Sequence, residues 1–241
     1  MATYSIRPIA LREGPRDASQ YTYFMNFGTA CKSACYAWYI EGSQPKTLVD
    51  AGSTASKSIV GSERDLVSIE DGLNKLGLKT DDIENIIITH LHIDHIQLGH
   101  LYKKAKFIVQ KRELDYARNP HAIDAYIYDK SMFEGLNLEV IDGSSEIIPG
   151  VSVFLTPGHS PGGQSVKINT AAGKVIITGF CCHLSTFVQT EAVKRKGWEV
   201  TAPLIHHDVR QAYDSVLKVK QQADIILALH DPEYIGKEVI P

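Results

Sequence analysis

A chain of 241 residues, 44% hydrophobic and 22% charged, is long enough for one packed core and has the mix of an ordinary globular domain. Its formal net charge of −3 offers no basic field for phosphates, which argues against nucleic acid as a partner, and no apolar run is long enough to cross a bilayer. The four cysteines, Cys31, Cys35, Cys181 and Cys182, do not form a disulfide framework, and the first residues lack the charged-then-apolar pattern of a signal peptide, so a reduced, cytoplasmic setting is expected.

In chain order, residues 30–42 and 46–52 read as two strands joined by a turn at "GSQPK". Residues 62–78 read as an amphipathic helix, with Ser62 as N-cap, Leu66, Ile69, Leu73 and Leu76 as its apolar stripe, and Gly77 near its stop. "NIIIT" (85–89) is a short buried strand. A strand over 105–110 runs into a helix over 111–118 that "NP" ends. Residues 137–178 carry four strands, "LEVID", "VSVFLT", "QSVKIN" and "KVIIT". A helix over 208–223, capped by Asp208, precedes a last strand over 224–230. No linker divides the chain, which predicts a single domain over 1–241, of α/β class with helices covering sheets. Two segments, 119–136 and 187–207, have weak periodicity and many aromatic or charged residues. They read as lids or binding loops, or as surface packing.

The stretch "ITHLHIDHIQLGH" (88–100) holds four histidines and an aspartate in thirteen residues, directly after a buried strand. His90 and His92 are two apart, so in an extended segment both imidazoles point to one side. Asp94 and His95 follow where the chain must leave the sheet, and imidazole with carboxylate suits zinc, iron or manganese. His100 lies beyond the cluster and reads as a surface or packing residue. One loop seldom completes a metal site. "TPGHSPGGQS" (156–165) adds His159 in a tight Pro/Gly turn, and "ALHDPE" (228–233) adds His230 at the end of the last strand.

"THLHIDH", "TPGHSPG" and the terminal "LHD" together resemble the metallo-β-lactamase superfamily, and their order is most similar to its lactonase-like branch of N-acyl-homoserine-lactone hydrolases and 4-pyridoxolactonase. "TLVDAG" resembles the family's early strand and turn, whose aspartate, here Asp50, supports the site. The likeness covers about residues 35–235. It implies a four-layer αββα sandwich with a divalent metal centre at one edge. Zinc is the first expectation, manganese and iron the alternatives, with one or two ions per chain. His90, His92 and His159 would hold the first ion, and Asp94, His95 and His230 the second. The reaction implied is the opening of a small cyclic ester or amide by metal-activated water, with Asp94 handing a proton to the leaving group. The partner would be a small-molecule substrate, with no membrane, and a homodimer is a further expectation.

The pattern breaks at "IITGFCCHLS" (176–185), where Phe180 stands in place of the aspartate that bridges two metals in the family. Three readings stay open. Cys182, or Cys181 if the chain bulges, supplies a thiolate instead. Alternatively, the site works unbridged. In the third reading the chain is a non-catalytic ligand-binding module. His183 is expected to donate a hydrogen bond or a proton to the substrate, and Phe180, Tyr126 and Trp198 to border it. On the same fold, thioester hydrolysis and thiol oxygenation at a single iron are the alternative activities.

Overall fold

The computed structural model describes residues 2–55, 57–58 and 61–241. The chain opens on a strand that the sequence reading does not contain, β1 (Ser5–Asp17), paired antiparallel over its length with β2 (Ala30–Glu41). Pro8 and Pro15 hide it. They sit on a largely open edge, where proline is tolerated, because β6 (Arg64–Asp65) pairs only with Arg12 and Glu13. Beyond β2 come β3 (Thr47–Val49) and a ribbon of β4 (Lys57–Ser58) and β5 (Gly61–Ser62).

The first helix, α1 (Ile69–Lys75), is shorter than expected. Ser62 is in a strand, and Ser68 is the N-cap, accepting the Asp71 amide at 3.0 Å. Two serines precede the same apolar stripe, and pairing of Arg64–Asp65 with β1 removes the earlier start. The helix stops at Gly77, whose φ of 71° suits glycine, as expected.

Strands β7 (Asn85–Ile87), β8 (Lys106–Gln110) and β9 (Leu138–Ile141) complete a seven-stranded sheet in the order β6-β1-β2-β3-β7-β8-β9. Between them lie α2 (Ile93–Ile96) and α3 (Lys111–Arg118). A five-stranded sheet follows, made of β10 (Ser145–Ile148), β11 (Val151–Leu155), β12 (Gln164–Thr170), β13 (Gly173–Ile177) and β14 (Ile225–Leu227) in chain order. Helices α4 (Glu191–Arg195) and α5 (Val209–Gln222) precede β14, and Asp208 caps α5 as expected.

Three apolar clusters define the layers. Between the sheets, Ala34, Tyr36, Trp38 and Ile40 of β2 meet Val153, Val166, Val175 and Ile177. The alternate residues of β2, Ala37 and Tyr39, face Ile69 and Leu73 of α1 and Leu114 of α3. On the other side, Ile176 and Phe154 pack under Val216 and Val219 of α5. This is a four-layer αββα sandwich, as expected. Among the described residues no helix is long and apolar enough to cross a membrane.

Candidate metal centre

Both sheets end on one edge, and the functional side chains hang there from strand ends. Strand β7 delivers Thr89 and His90. The Thr89 amide donates to Asp50 Oδ1 at 2.8 Å and its hydroxyl to Asp50 Oδ2 at 2.9 Å, which fixes the chain just before the histidines. His92 then serves as N-cap residue of α2, whose first turn carries Asp94 and His95. The loop after β3 closes over that turn, with the Ala51 amide donating to the His95 carbonyl at 2.9 Å. His159 arrives from the smaller sheet, in the turn between β11 and β12. That turn is wedged against α5, because a Cβ at Gly158 would lie 2.1 Å from the Ala212 nitrogen. Only glycine permits that approach, and Gly158 also has a φ of 119°. His230 follows β14.

These residues form two groups. The ligand atoms of His90, His92 and His159 lie within 4.8 Å of one another, and so do those of Asp94, His95 and His230. His90 Nε2 and His159 Nε2 are 3.2 Å apart. Asp94 Oδ2 is 3.3 Å from His95 Nε2 and 3.6 Å from His230 Nε2. The Nδ1 atoms are engaged elsewhere: His90 with the Thr89 hydroxyl at 3.1 Å, His95 with Asp50 at 2.8 Å, His159 with the Ile205 carbonyl at 2.8 Å and His230 with the Ala34 carbonyl at 3.0 Å. Such contacts fix the tautomer and leave Nε2 as the free donor, the usual arrangement of metal-bound histidine. His95 Nε2 is buried without a satisfactory hydrogen-bond partner among the described residues. Buried polar atoms are normally satisfied, so this nitrogen fits a site that accepts an ion.

The electrostatics favour the ligating form at every member of the two groups except His95. Burial, reinforced by neighbouring imidazoles, holds His90 and His92 well below the ordinary histidine range. Burial pushes His159 down to about 4 and His230 down to about 3. Burial alone would raise the Asp94 carboxyl, but His95, His230 and Arg12 outweigh it and hold it well below the carboxylate range. Neutral imidazoles and an ionised carboxylate are the ligating forms. Burial would likewise lower His95, yet Asp94 and Asp50 hold it well above its ordinary value.

A pH dependence follows for the metal-free protein. As pH falls below about 6.5, the unfolded chain takes up protons that buried His90, His92 and His159 refuse, so stability drops toward pH 4 by about 1.4 kcal/mol per pH unit for each such histidine. His95, protonated in both states over that window, does not oppose the loss. Urea unfolding of chelator-treated protein at several pH values measures it, and a flat profile between pH 6.5 and 4.5 would contradict the burial of neutral imidazoles.

Three sequence expectations are corrected. Phe180 is 1% exposed and packs in the cluster under α5 with Phe187, so it does not border the site. Cys182 is fully buried in the same cluster, with Sγ 3.1 Å from the Thr178 hydroxyl, and joins neither ligand group. Both share the parity of Ile176, whose side of the sheet faces α5. Trp198 lines a separate cavity of about 350 Å³ with Tyr23, Arg210 and Tyr213. Cys181 is buried but is not part of that cluster, and burial raises its thiol well above the ordinary range. His183 is buried, stacked on the Tyr21 ring with centroids 3.5 Å apart, and its Nε2 has no hydrogen-bond partner among the described residues. Tyr126 is exposed and borders a small cavity, about 60 Å³, that touches His92 and His159. His100 is exposed, bonded to the Ser131 carbonyl at 2.9 Å, and stands apart as expected.

Other residues at this edge escaped the sequence reading. Arg12 donates to the Ser53 hydroxyl at 2.8 Å and lies 3.9 Å from Asp94 Oδ2. Cys35 donates to the Asp94 carbonyl at 3.0 Å. Gln164 reaches from β12 to the Ile88 carbonyl at 2.8 Å, tying the sheets together beside the histidines. Arg12 lies in the unrecognised β1, and nothing local marks the other two.

The Metallo-beta-lactamase superfamily model matches residues 32–226. An N-acyl homoserine lactonase of Bacillus thuringiensis is 31% identical over 166 residues, which are 67% of this chain and 61% of that protein. The match thus spans 61% of the length of such curated relatives. The N-acyl homoserine lactonase AttM of Rhizobium radiobacter is 28% identical over 115 residues, 44% of each chain. Among solved structures, a quorum-quenching N-acyl homoserine lactone lactonase superposes with a TM-score of 0.78 at 26% identity, over 100% of this chain and 99% of that one. An N-acyl homoserine lactone hydrolase with N-hexanoyl-L-homoserine bound at its catalytic metal centre gives 0.76 at 26% identity, over 100% of both chains.

Proposed function

The chain belongs to the metallo-beta-lactamase superfamily, and on that premise we propose that it is a metal-dependent hydrolase that opens the ring of an N-acyl homoserine lactone or a closely related small cyclic ester. The observation that carries the reading is the pair of ligand groups, His90–His92–His159 and Asp94–His95–His230, side by side at the open edge of the sandwich. The relatives named as lactonases support the substrate class. We assign zinc as the ion, on the borderline-soft imidazole set, and a cytoplasmic location, supported by four unpaired cysteines. A divalent ion bound there supplies a Lewis acid for the carbonyl oxygen and brings water toward neutral acidity.

The chain's own residues do the rest. Asp94 is the carboxylate of the two groups, and its side chain is 28% exposed toward the opening. It can take the proton of the attacking water and pass it to the ring oxygen as the ester C–O bond breaks, leaving a carboxylate and an alcohol. His95 Nε2 and His230 Nε2 lie 3.3 and 3.6 Å from its Oδ2, so the three would share one ion. Tyr126, Ile127 and Ile205 give the cavity beside His92 and His159 an apolar wall, which supports an acyl substituent on the ring. His183 remains our candidate for a hydrogen-bond donor to the substrate, because its Nε2 is free of partners among the described residues.

The test is ring opening of N-hexanoyl and N-decanoyl homoserine lactone, followed by proton release, with thioesters and small thiols run in parallel. Lactone opening is expected, abolished by a chelator and restored by zinc. Turnover of thioesters alone, oxygen uptake with iron and a thiol, or lactone binding without turnover would each replace this reading.

A further inference from the structure

Glu113 is a carboxylate that no step above uses, yet it is 1% exposed on the inner face of α3. Its Oε1 accepts the Leu91 amide at 3.0 Å and the Tyr128 hydroxyl at 3.1 Å, and its Oε2 accepts the Gly162 amide at 2.9 Å. Leu91 stands between His90 and His92. Gly162 lies three residues beyond His159, in the same turn. The two loops come from different sheets, the first after β7 of the larger and the second between β11 and β12 of the smaller. We propose that Glu113 is the positioning residue of the three-histidine group, one buried carboxylate that holds a backbone amide of each loop and so sets the spacing of His90 and His92 against His159. The inference rests on the reading that these histidines hold a metal.

The fit is close on the smaller-sheet side. A Cβ at Gly162 would lie 2.2 Å from the Glu113 nitrogen, so the turn presses directly on the first residues of α3. A buried carboxylate has four lone-pair directions and no hydrogen to offer, which suits it to take two backbone donors from separate segments at once. Amide donors to an ionised acceptor also make shorter, stronger bonds than neutral pairs. The larger sheet supplies the lever: α3 starts immediately after β8, next to β7, so its third residue sits beneath the His90–His92 loop. Gln164 also ties the sheets, through its side chain to the Ile88 carbonyl at 2.8 Å and its backbone amide to the Thr89 carbonyl at 2.9 Å, both upstream of the histidines. Glu113 is the tie at the ligand positions themselves. Nothing in "KRELDYAR" marks it, since a glutamate in a short helix is ordinarily solvated.

The test compares wild type with Glu113→Gln. The amide keeps one acceptor oxygen and turns an NH2 group toward the other backbone N–H, donor against donor, so one loop is released. Zinc affinity, read by competition with a chromophoric chelator, should fall about 10- to 100-fold, the range for groups that orient metal ligands. The visible bands of the cobalt(II) form should shift with the altered ligand geometry. Melting of the metal-free protein separates a merely structural role. If Glu113→Gln lowers that melting temperature but binds zinc within about threefold of wild type with an unchanged cobalt spectrum, the proposal is overturned. A wild type that takes up neither zinc nor cobalt overturns the metal reading instead. Should Glu113→Gln not fold, amide hydrogen exchange on metal-free wild type decides: the Leu91 and Gly162 amides are expected to be protected alike, and open-loop exchange at either one sinks the clamp.

Discussion

Replacing His90 by alanine is expected to abolish tight metal uptake at the three-histidine group and to lower kcat/KM for lactone opening by about a thousandfold or more, about 4 kcal/mol of transition-state stabilisation. His90 is the common neighbour of both groups. Its Nε2 is 3.2 Å from that of His159, and its ring centroid lies 4.5 Å from His92 and 4.2 Å from His95. It is also fully buried, so no water-exposed neighbour can take over its role. Truncation leaves two imidazoles, too few to hold an ion against water. The control is His100→Ala, which removes an exposed histidine of the same thirteen-residue stretch, bonded to the Ser131 carbonyl and outside both ligand groups. Metal content by elemental analysis and turnover of the same samples give the result. A His90→Ala protein that retains its metal and more than a tenth of wild-type turnover would remove the three-histidine group from the mechanism.

That contrast reflects what a sequence can carry. His90, His92, Asp94 and His95 are legible because they lie within six residues at the end of one strand, and local geometry alone sends them to one place. His159 and His230 are legible through the glycine-rich turn and the strand end that bear them. The error at Phe180 and Cys182 has a different origin. Val175, Ile176 and Ile177 are all fully buried, because β13 has the other sheet on one face and α5 on the other. A strand apolar on both faces shows no alternation, so its sequence does not say which parity faces the ligands. The parity of Cys182 relative to Phe180 could be deduced; the identity of the inner face could not. The prolines of β1 disguise it as a loop, and they are harmless only because the distant Arg64–Asp65 strand pairs with Arg12 and Glu13 alone and leaves their stretches of the edge unpaired by it. Glu113 was unreadable for the same reason. A carboxylate acquires its role from two backbone amides, 22 and 49 residues away, that only the assembled sandwich brings to it.

Asp50→Asn is expected to destabilise the metal-free protein by about 2–4 kcal/mol and to empty the Asp94–His95–His230 group of metal while His90, His92 and His159 keep theirs. The substitution isolates charge from shape. Asp50 has a φ of 60°, a conformation that asparagine adopts as readily as aspartate, so backbone strain is not the cause of any loss. Its carboxylate, fully buried, accepts from the Thr89 amide and hydroxyl and lies 2.8 Å from His95 Nδ1. Asparagine keeps one oxygen, which the Thr89 amide claims. Its NH2 group then faces His95 Nδ1. If that nitrogen keeps its hydrogen, two donors oppose each other in a buried place. If it gives the hydrogen up, the proton moves to Nε2, the atom that would bind the ion. Either outcome disables His95 as a ligand, and the loss of charge removes one of the two carboxylates that hold its pKa up. Urea unfolding measures the stability and elemental analysis the metal count. Wild-type metal content in Asp50→Asn would mean that the Asp50 contact does not set the His95 tautomer, and stability within about 0.5 kcal/mol of wild type would mean that the buried carboxylate is not needed as a charge.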